Sequence, residues 1–421
     1  MHKLSTALVS TILSGTFLAS ASYGATISVL PGQTTTVTSP VTLDGRSEVK
    51  GTLNLVFRTY EEVTGGNGAT TTVTEDGRLT NNSSIFVYST GTINNLSTFT
   101  NNYFIDNKGS LTNLGTLTNN DALTNFGIFE NKGVVISKGG TFTNLRDATL
   151  INWDTFIADS FLNNDGDLTN EGTLTTSVWL TNSATGTLSN KGTLDNRRFI
   201  TSDGTFTNSG AVNLAAGSTF GSAGTFTQTA GSLTVNGTMQ QDAVAINGGS
   251  VGSSGTIQSN LALFGALIGP GNGNIPGILT IDGGLDLAGG STLAFGLGGL
   301  SAGTGYDRLN VMGGATLGVG TTFAINFLGG FVASGGDFFD VLVAGDFGFA
   351  NLNSFTFDFA GTSGFTWGTS IVAFGSSQQA LRLIALPLVA LVPLPASAIL
   401  LFGGLLGLGA AGRWKRKALC R

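Results

Sequence analysis

Residues 109–138 read GSLTNL GTLTNN DALTNF GIFENK GVVISK. The apolar residues Leu111, Leu117, Leu123, Phe129 and Val135 stand six positions apart, and in four of the five units an Asn follows two residues later. Each unit holds one inward apolar residue between β-favouring outward residues, closed by a polar turn. A strand this short cannot bury its apolar side alone, so it must stack on its equivalent in the next coil. Units of the same kind recur at Gly140-Thr141-Phe142, Gly166-Asp167-Leu168, Gly172-Thr173-Leu174, Gly186-Thr187-Leu188, Gly192-Thr193-Leu194, Gly204-Thr205-Phe206 and Gly224-Thr225-Phe226. With about three strands per coil of roughly 20 residues, the spacing predicts a parallel β-helix of on the order of ten coils. Leu and Phe should form inner columns. Asn113, Asn119, Asn125, Asn131, Asn144 and Asn170 are expected at the turns, where stacked amides form ladders.

Composition agrees with an all-β chain. Sixty-four of 421 residues are Gly and only 10% are charged, and Gly serves turns while weakening helices. Seven prolines without a Gly-X-Y period exclude collagen. A hydrophobic content of 41% speaks against charge-driven disorder. His2 and Cys420 are the sole His and Cys, and both fall in terminal segments expected to be removed. Disulfides, thiolate or imidazole metal sites and His-dependent triads are then excluded.

The N-terminus carries Lys3, the largely apolar stretch Leu4 to Ala19, and small residues up to Gly24. That is the pattern of a secretory signal peptide cleaved after Gly24, with Ser22 at position −3. At the other end, Val392, Pro393, Leu394, Pro395 and Ala396 precede the apolar run 397–412. Arg413, Lys415, Arg416 and Lys417 follow at once. A short apolar span with an adjoining basic cluster is expected to stop in the inner membrane as a helix, its charges in the cytoplasm. This tail resembles the PEP-CTERM sorting signal of Gram-negative bacteria in its VPLPA form. The resemblance implies an exosortase-like processing enzyme as partner, cleavage near Pro395, and delivery to the cell surface or the exopolysaccharide matrix.

The expected organisation is a signal peptide (1–24), an N-terminal β cap with the first coils (25–76), the Asn/Gly-rich solenoid (77–260), a Phe/Gly-rich C-terminal β module (261–385) and the sorting signal (386–421). In the third of these, the irregular spacings and the G-x-L-x-N style resemble the right-handed helices of filamentous-haemagglutinin-like and autotransporter passenger proteins. The strict six-residue run is also typical of left-handed β-helices, which stay the alternative. Ile268-Gly269-Pro270-Gly271-Asn272 and Gly305-Tyr306-Asp307-Arg308 resemble the closing module of such passengers, which implies a C-terminal cap. Leu285, Leu287, Leu293, Phe295 and Leu297 alternate as the buried side of strands.

All 25 acids lie between Asp44 and Asp358, whereas six of the 19 bases lie in the terminal segments, so the net charge moves from −6 to −12 on processing. Nucleic acid is therefore not an expected partner; acidic polysaccharide remains one through bridging cations. Asp165-Gly166-Asp167, Glu61-Glu62 and Glu75-Asp76 read as solvated turn acids, and Asp337 and Asp340 as caps of a strand start. Threonine clusters such as Thr34–Thr36 and Thr70–Thr72 hint at a flat hydroxyl face, but Asn, Lys and Asp are mixed into the repeat. No catalytic residue, metal site or cofactor is assigned. The expectation is an exported, non-enzymatic surface or matrix protein, with a carboxylate-using polysaccharide lyase or hydrolase as the alternative.

Overall fold

The computed structural model describes residues 15–17, 27–37, 42–43, 46–55, 63–65, 69–348, 351–360 and 365–387. They build an all-β, parallel solenoid with three ladders. The first stacks Arg78–Asn81, Thr98–Asn101, Thr116–Asn119, Val134–Ser137 and Thr155–Ala158, and extends to a 17-stranded sheet. The second stacks Phe104–Asn107, Leu123–Asn125, Thr141–Asn144, Phe161–Asn164, Trp179–Asn182 and Phe199–Ser202. The third stacks Thr92–Asn95, Ser110–Asn113, Ile128–Asn131, Thr149–Asn152 and Asp167–Asn170. Clean coils repeat every 18 residues, as from Asn113 to Asn131. The step from Asn131 to Asn152 takes 21, and the three additional residues are absorbed at corners while the faces keep register.

The alternation seen in the sequence is the alternation of the strands. Leu111, Leu117, Leu123, Phe129 and Val135 are all 0% exposed. One residue from each ladder forms a layer of the core, and the layers balance their volumes. Phe129, Val135 and Phe142 make one layer, as do Phe206, Val212 and Phe220, while Leu168, Leu174 and Leu180 fill another with three residues of middle size. Two rings leave room for a Val and no more, as close packing demands. Phe129 and Phe142 meet edge to face at 5.0 Å, and Phe142 meets Phe156 of the next coil at 5.2 Å.

The asparagines differ from the expectation in one respect: they end the strands and point inward at the corners instead of lying out in the turns. Asn95, Asn113, Asn131, Asn152, Asn170, Asn190 and Asn208 are at most 1% exposed, and each amide passes a hydrogen bond to the next coil. Nδ2 of Asn113 donates to Oδ1 of Asn131 at 2.8 Å, and Asn131 donates to Asn152 at 2.7 Å. The same Nδ2 of Asn131 reaches the carbonyls of Gly133 and Thr155 at 2.9 and 2.8 Å. The amide thus ties its own corner to the corner above it. A second ladder runs from Asn107 through Asn125, Asn144 and Asn164 to Asn182. A third joins Asn81, Asn101 and Asn119.

Corner glycines are required by contact rather than by dihedral freedom. A Cβ on Gly115 would stand 2.1 Å from the carbonyl oxygen of Ser97 in the coil below, far inside any tolerable separation. Gly217 is the opposite case, with φ of 77° and open space around it.

The ladders continue through residue 261: Val244–Ile246 of one coil pairs with Leu261–Leu263, which pairs with Leu285–Leu287. Leu285, Leu287, Leu293, Phe295 and Leu297 are buried. The last parallel pairing joins Thr322–Phe327 to Thr356–Ala360. There the hydrogen-bonding sense changes, because Phe338–Ala344 pairs antiparallel with Gln378–Pro387, which pairs antiparallel with Phe365–Phe374. Leu383 and Ala385 thereby enter the core as part of a strand. Among the described residues no helix is long and apolar enough to cross a membrane. Except for the strand Gly15–Phe17, the signal segment lies outside the described residues, as do Val392 to Ala396, the apolar run 397–412 and Arg413 to Lys417.

Two outcomes check this architecture. Leu117→Asp should lower the thermal unfolding midpoint far more than Thr118→Asp, because a buried unpaired carboxylate costs several kcal/mol and an outward one almost nothing; equal shifts would contradict the register. Asn131→Ala should cost on the order of 3 kcal/mol, because it removes the donor to Oδ1 of Asn152 and to the carbonyls of Gly133 and Thr155 and takes one acceptor from the amide of Asn113. Glu130→Ala, one residue away and outward, should be close to neutral in the same denaturant titration.

Candidate functional site

With the core filled by Leu, Phe and Asn, chemistry is left to the outer faces and corners. Several of the described acids there are paired with a neighbour one coil away or nearby in sequence. Glu171 accepts from Lys191 at 2.7 Å, Glu130 from Lys132 at 2.8 Å, and Asp195 from the amide of Asn213 at 2.7 Å. Asp167 takes a hydrogen bond from the hydroxyl of Thr187, and Asp203 from that of Ser222. Among the described residues no group of three or more acidic, His or Cys side chains converges on a point where a metal could sit.

One groove lies on the third face, where small side chains replace the usual threonines. Ala243, Ala245 and Ala262 form its floor, with Asp242, Asn260 and Asp286 around it and a volume of about 540 Å³. It has two carboxylates and no Lys or Arg among its lining residues.

Among the described residues two acids are buried. Asp340 is a correction to the sequence reading: it caps no turn but receives both Nε and Nη2 of Arg382, at 2.7 and 2.9 Å. Phe338 covers the guanidinium with its ring centroid 4.0 Å away. This fork locks the antiparallel strand Gln378–Pro387 to Phe338–Ala344. Asp337 does cap, accepting from the backbone of Ser334 at 2.6 Å. Asp307, 4% exposed, accepts from the backbone N–H groups of Gly277 and Gly296 at 2.8 and 2.7 Å and so ties the residue before the strand Ile278–Ile281 to the strand Thr292–Leu297. Burial pushes its carboxyl up to about 6, against the opposing pull of those two donors.

The threonines are sorted more cleanly than their mixture in the sequence implies. On the first face, from Thr98–Asn101 to Thr173–Thr176, the outward positions hold only Thr, Val and Ile, because the asparagines of these strands have turned inward. The second face carries a different feature, an outward row of aromatic rings. Phe161, Trp179 and Phe199 occupy one position in three successive coils. Trp179 and Phe199 have centroids 4.9 Å apart. The sequence reading passed over this row; its signal was the separation of three aromatics by one coil length each.

No protein-family model matches the chain, and no curated protein matches its sequence.

Asp307 provides a pH test. An acid whose folded value lies above its unfolded one binds protons more tightly when folded. Its contribution to stability is therefore greatest below the ordinary carboxylate range and is lost as pH rises through about 6. The carboxyl carbon of Asp307 should titrate near 6 by NMR. Asp307→Asn should remove the matching fall in the unfolding midpoint between pH 4 and pH 7.

Proposed function

We propose that this chain is an exported, non-enzymatic structural protein of the cell surface or extracellular matrix of a Gram-negative bacterium, sorted by an exosortase-like enzyme. The observation that carries the reading is the order of elements after the solenoid: the Val392 to Ala396 motif, the apolar run and the basic cluster Arg413 to Lys417. Motif outside, span within and charges inside is the arrangement a membrane-embedded processing enzyme needs to hold its substrate. The solenoid between the two terminal segments serves as a stalk. A right-handed coil is the sense we assign it, in line with the strong preference of parallel strand crossovers for that hand, with a left-handed coil as the alternative. The antiparallel pair Phe365–Phe374 and Gln378–Pro387 acts as the cap, changing hydrogen-bond direction where the parallel ladder would otherwise end in an open edge.

Acids scattered around the coils, with no group of three or more converging among the described residues, weigh for the structural reading over the enzymatic one. A polysaccharide lyase or hydrolase at neutral pH needs carboxylates close enough to share or shift a proton, with a cation to steady developing charge. The groove beside Asp242 and Asp286 has no basic side chain in its lining. The net charge of the processed chain gives a surface that associates with anionic matrix through divalent cations and does so less at high salt.

The test is the processing step. Pro393→Ala with Pro395→Ala should leave the exported chain at its uncleaved size in the inner membrane, because the span and its charges still anchor it. Arrival of the double variant at the surface at the processed size would show that the tail is not a sorting signal.

A further inference from the structure

Outward positions on the second face hold Thr141, Thr219 and Thr238 in neighbouring coils, so the strand needs no ring there to form. Three consecutive coils nonetheless place Phe161, Trp179 and Phe199 in that position. Phe161 is 50% and Trp179 38% exposed, an arrangement that stability alone disfavours. The row is held in place: Nε1 of Trp179 donates to the hydroxyl of Thr201 at 2.9 Å, and the Arg198 guanidinium lies 5.6 Å from the Phe199 centroid. Along one side run Asn163, Thr181 and Thr201, two residues on and facing the same way. On the other side stands the corner pair Arg197 and Arg198. Neither arginine belongs to the ion pairs formed among the described residues.

We propose that this row is a binding platform for an acidic polysaccharide, a uronate-containing chain lying along the solenoid axis with its sugar rings stacked on Phe161, Trp179 and Phe199. A pyranose has an apolar C–H face and a rim of hydroxyls. A strip one aromatic residue wide, bordered by an amide and two hydroxyls, matches that shape. A protein partner needs a far broader patch, about 800 Å² on each side. Coils repeat at about 4.8 Å, close to the advance of one sugar in an extended chain, so rings on the protein and rings on the polymer keep step. Arg197 and Arg198, outside the ion pairs of the described residues, set the charge of the ligand, since they offer a local cationic site for a sugar carboxylate on a chain that otherwise repels anions. The same face runs on toward the N-terminus past Thr141 to a hollow of about 290 Å³ lined by Phe86, Tyr103, Phe104 and Asp121, whose carboxylate marks the end of the track for an anionic chain.

The proposal deepens the matrix-protein reading by naming its partner, and rests on that reading for where the two meet. Its test is carried out on purified protein, so a failure of sorting does not enter. The full chain is run through native gels containing polygalacturonate, with dextran gels in parallel. Retardation by polygalacturonate is expected. It should weaken about tenfold in Trp179→Ala, survive in Trp179→Phe, and be unchanged in Trp153→Ala, a substitution of an exposed Trp on another corner. Arg197→Gln with Arg198→Gln should reduce both the retardation and its sensitivity to salt. Should Trp179→Ala unfold, Phe161→Ala takes its place. A ring-removing variant that folds and migrates like the unsubstituted chain overturns the platform, and equal retardation by dextran overturns the acidic class of ligand.

Discussion

Parallel coils stacked at about 4.8 Å leave no freedom in what sits above what. Any residue at a given point on one coil meets its counterpart on the next, so a side chain is accepted only if it tolerates a copy of itself or a close substitute at that distance. Leucine and phenylalanine meet the condition by interdigitating, glycine by having no side chain at a corner where carbonyl oxygens crowd in, and asparagine by being donor and acceptor at once. A buried aspartate in the same place would face another aspartate. A buried amide faces a partner, and the desolvation of its polar group is offset by bonds above and below.

This requirement explains why so much of the fold was legible in residues 109–138. The inward positions, the strand length and the stacking are all direct images of one hexapeptide, and each is found where the spacing placed it. The asparagines were legible as ladder formers, though not as inward residues, because a polar side chain beside a glycine resembles a turn until the corner geometry shows the space behind it. Asp340 was misread for a related reason. Its partner Arg382 is 42 residues away and returns on an antiparallel strand that interrupts the repeat, so no local pattern announces the pair. The aromatic row escaped notice because its members are separated by 18 and 20 residues, a distance at which sequence neighbours carry no information and only the coil length connects them.

A division of labour follows. Where the interior is dictated by self-compatibility, the exterior is free, and the outward residues vary from coil to coil among Thr, Ile, Asp, Glu, Phe and Trp without disturbing the stack. The face beginning at Thr98 uses that freedom to become uniformly β-branched, the face of Trp179 to display rings, and the face of Asp242 to sink into a groove of alanines. These surfaces share one scaffold and are separated by corners, which keeps a change on one face from propagating to another.

The amide ladders also have a direction. In every link of the series from Asn95 to Asn208 the Nδ2 of the earlier residue donates to the later one, so a completed coil presents aimed donors toward the C-terminal side. On the opposite side the ladders begin abruptly: Asn95 stacks on Val73 and, at the head of the second ladder, Asn107 stacks on Val87, its Oδ1 without a partner among the described residues. The solenoid is thus a template with polarity, offering the next coil a prepared edge while its starting edge is closed by aliphatic residues. A chain made N-terminus first, as every chain is on the ribosome, appears in the order in which that edge is built, and each arriving coil ends the exposure of the amides left by the one before.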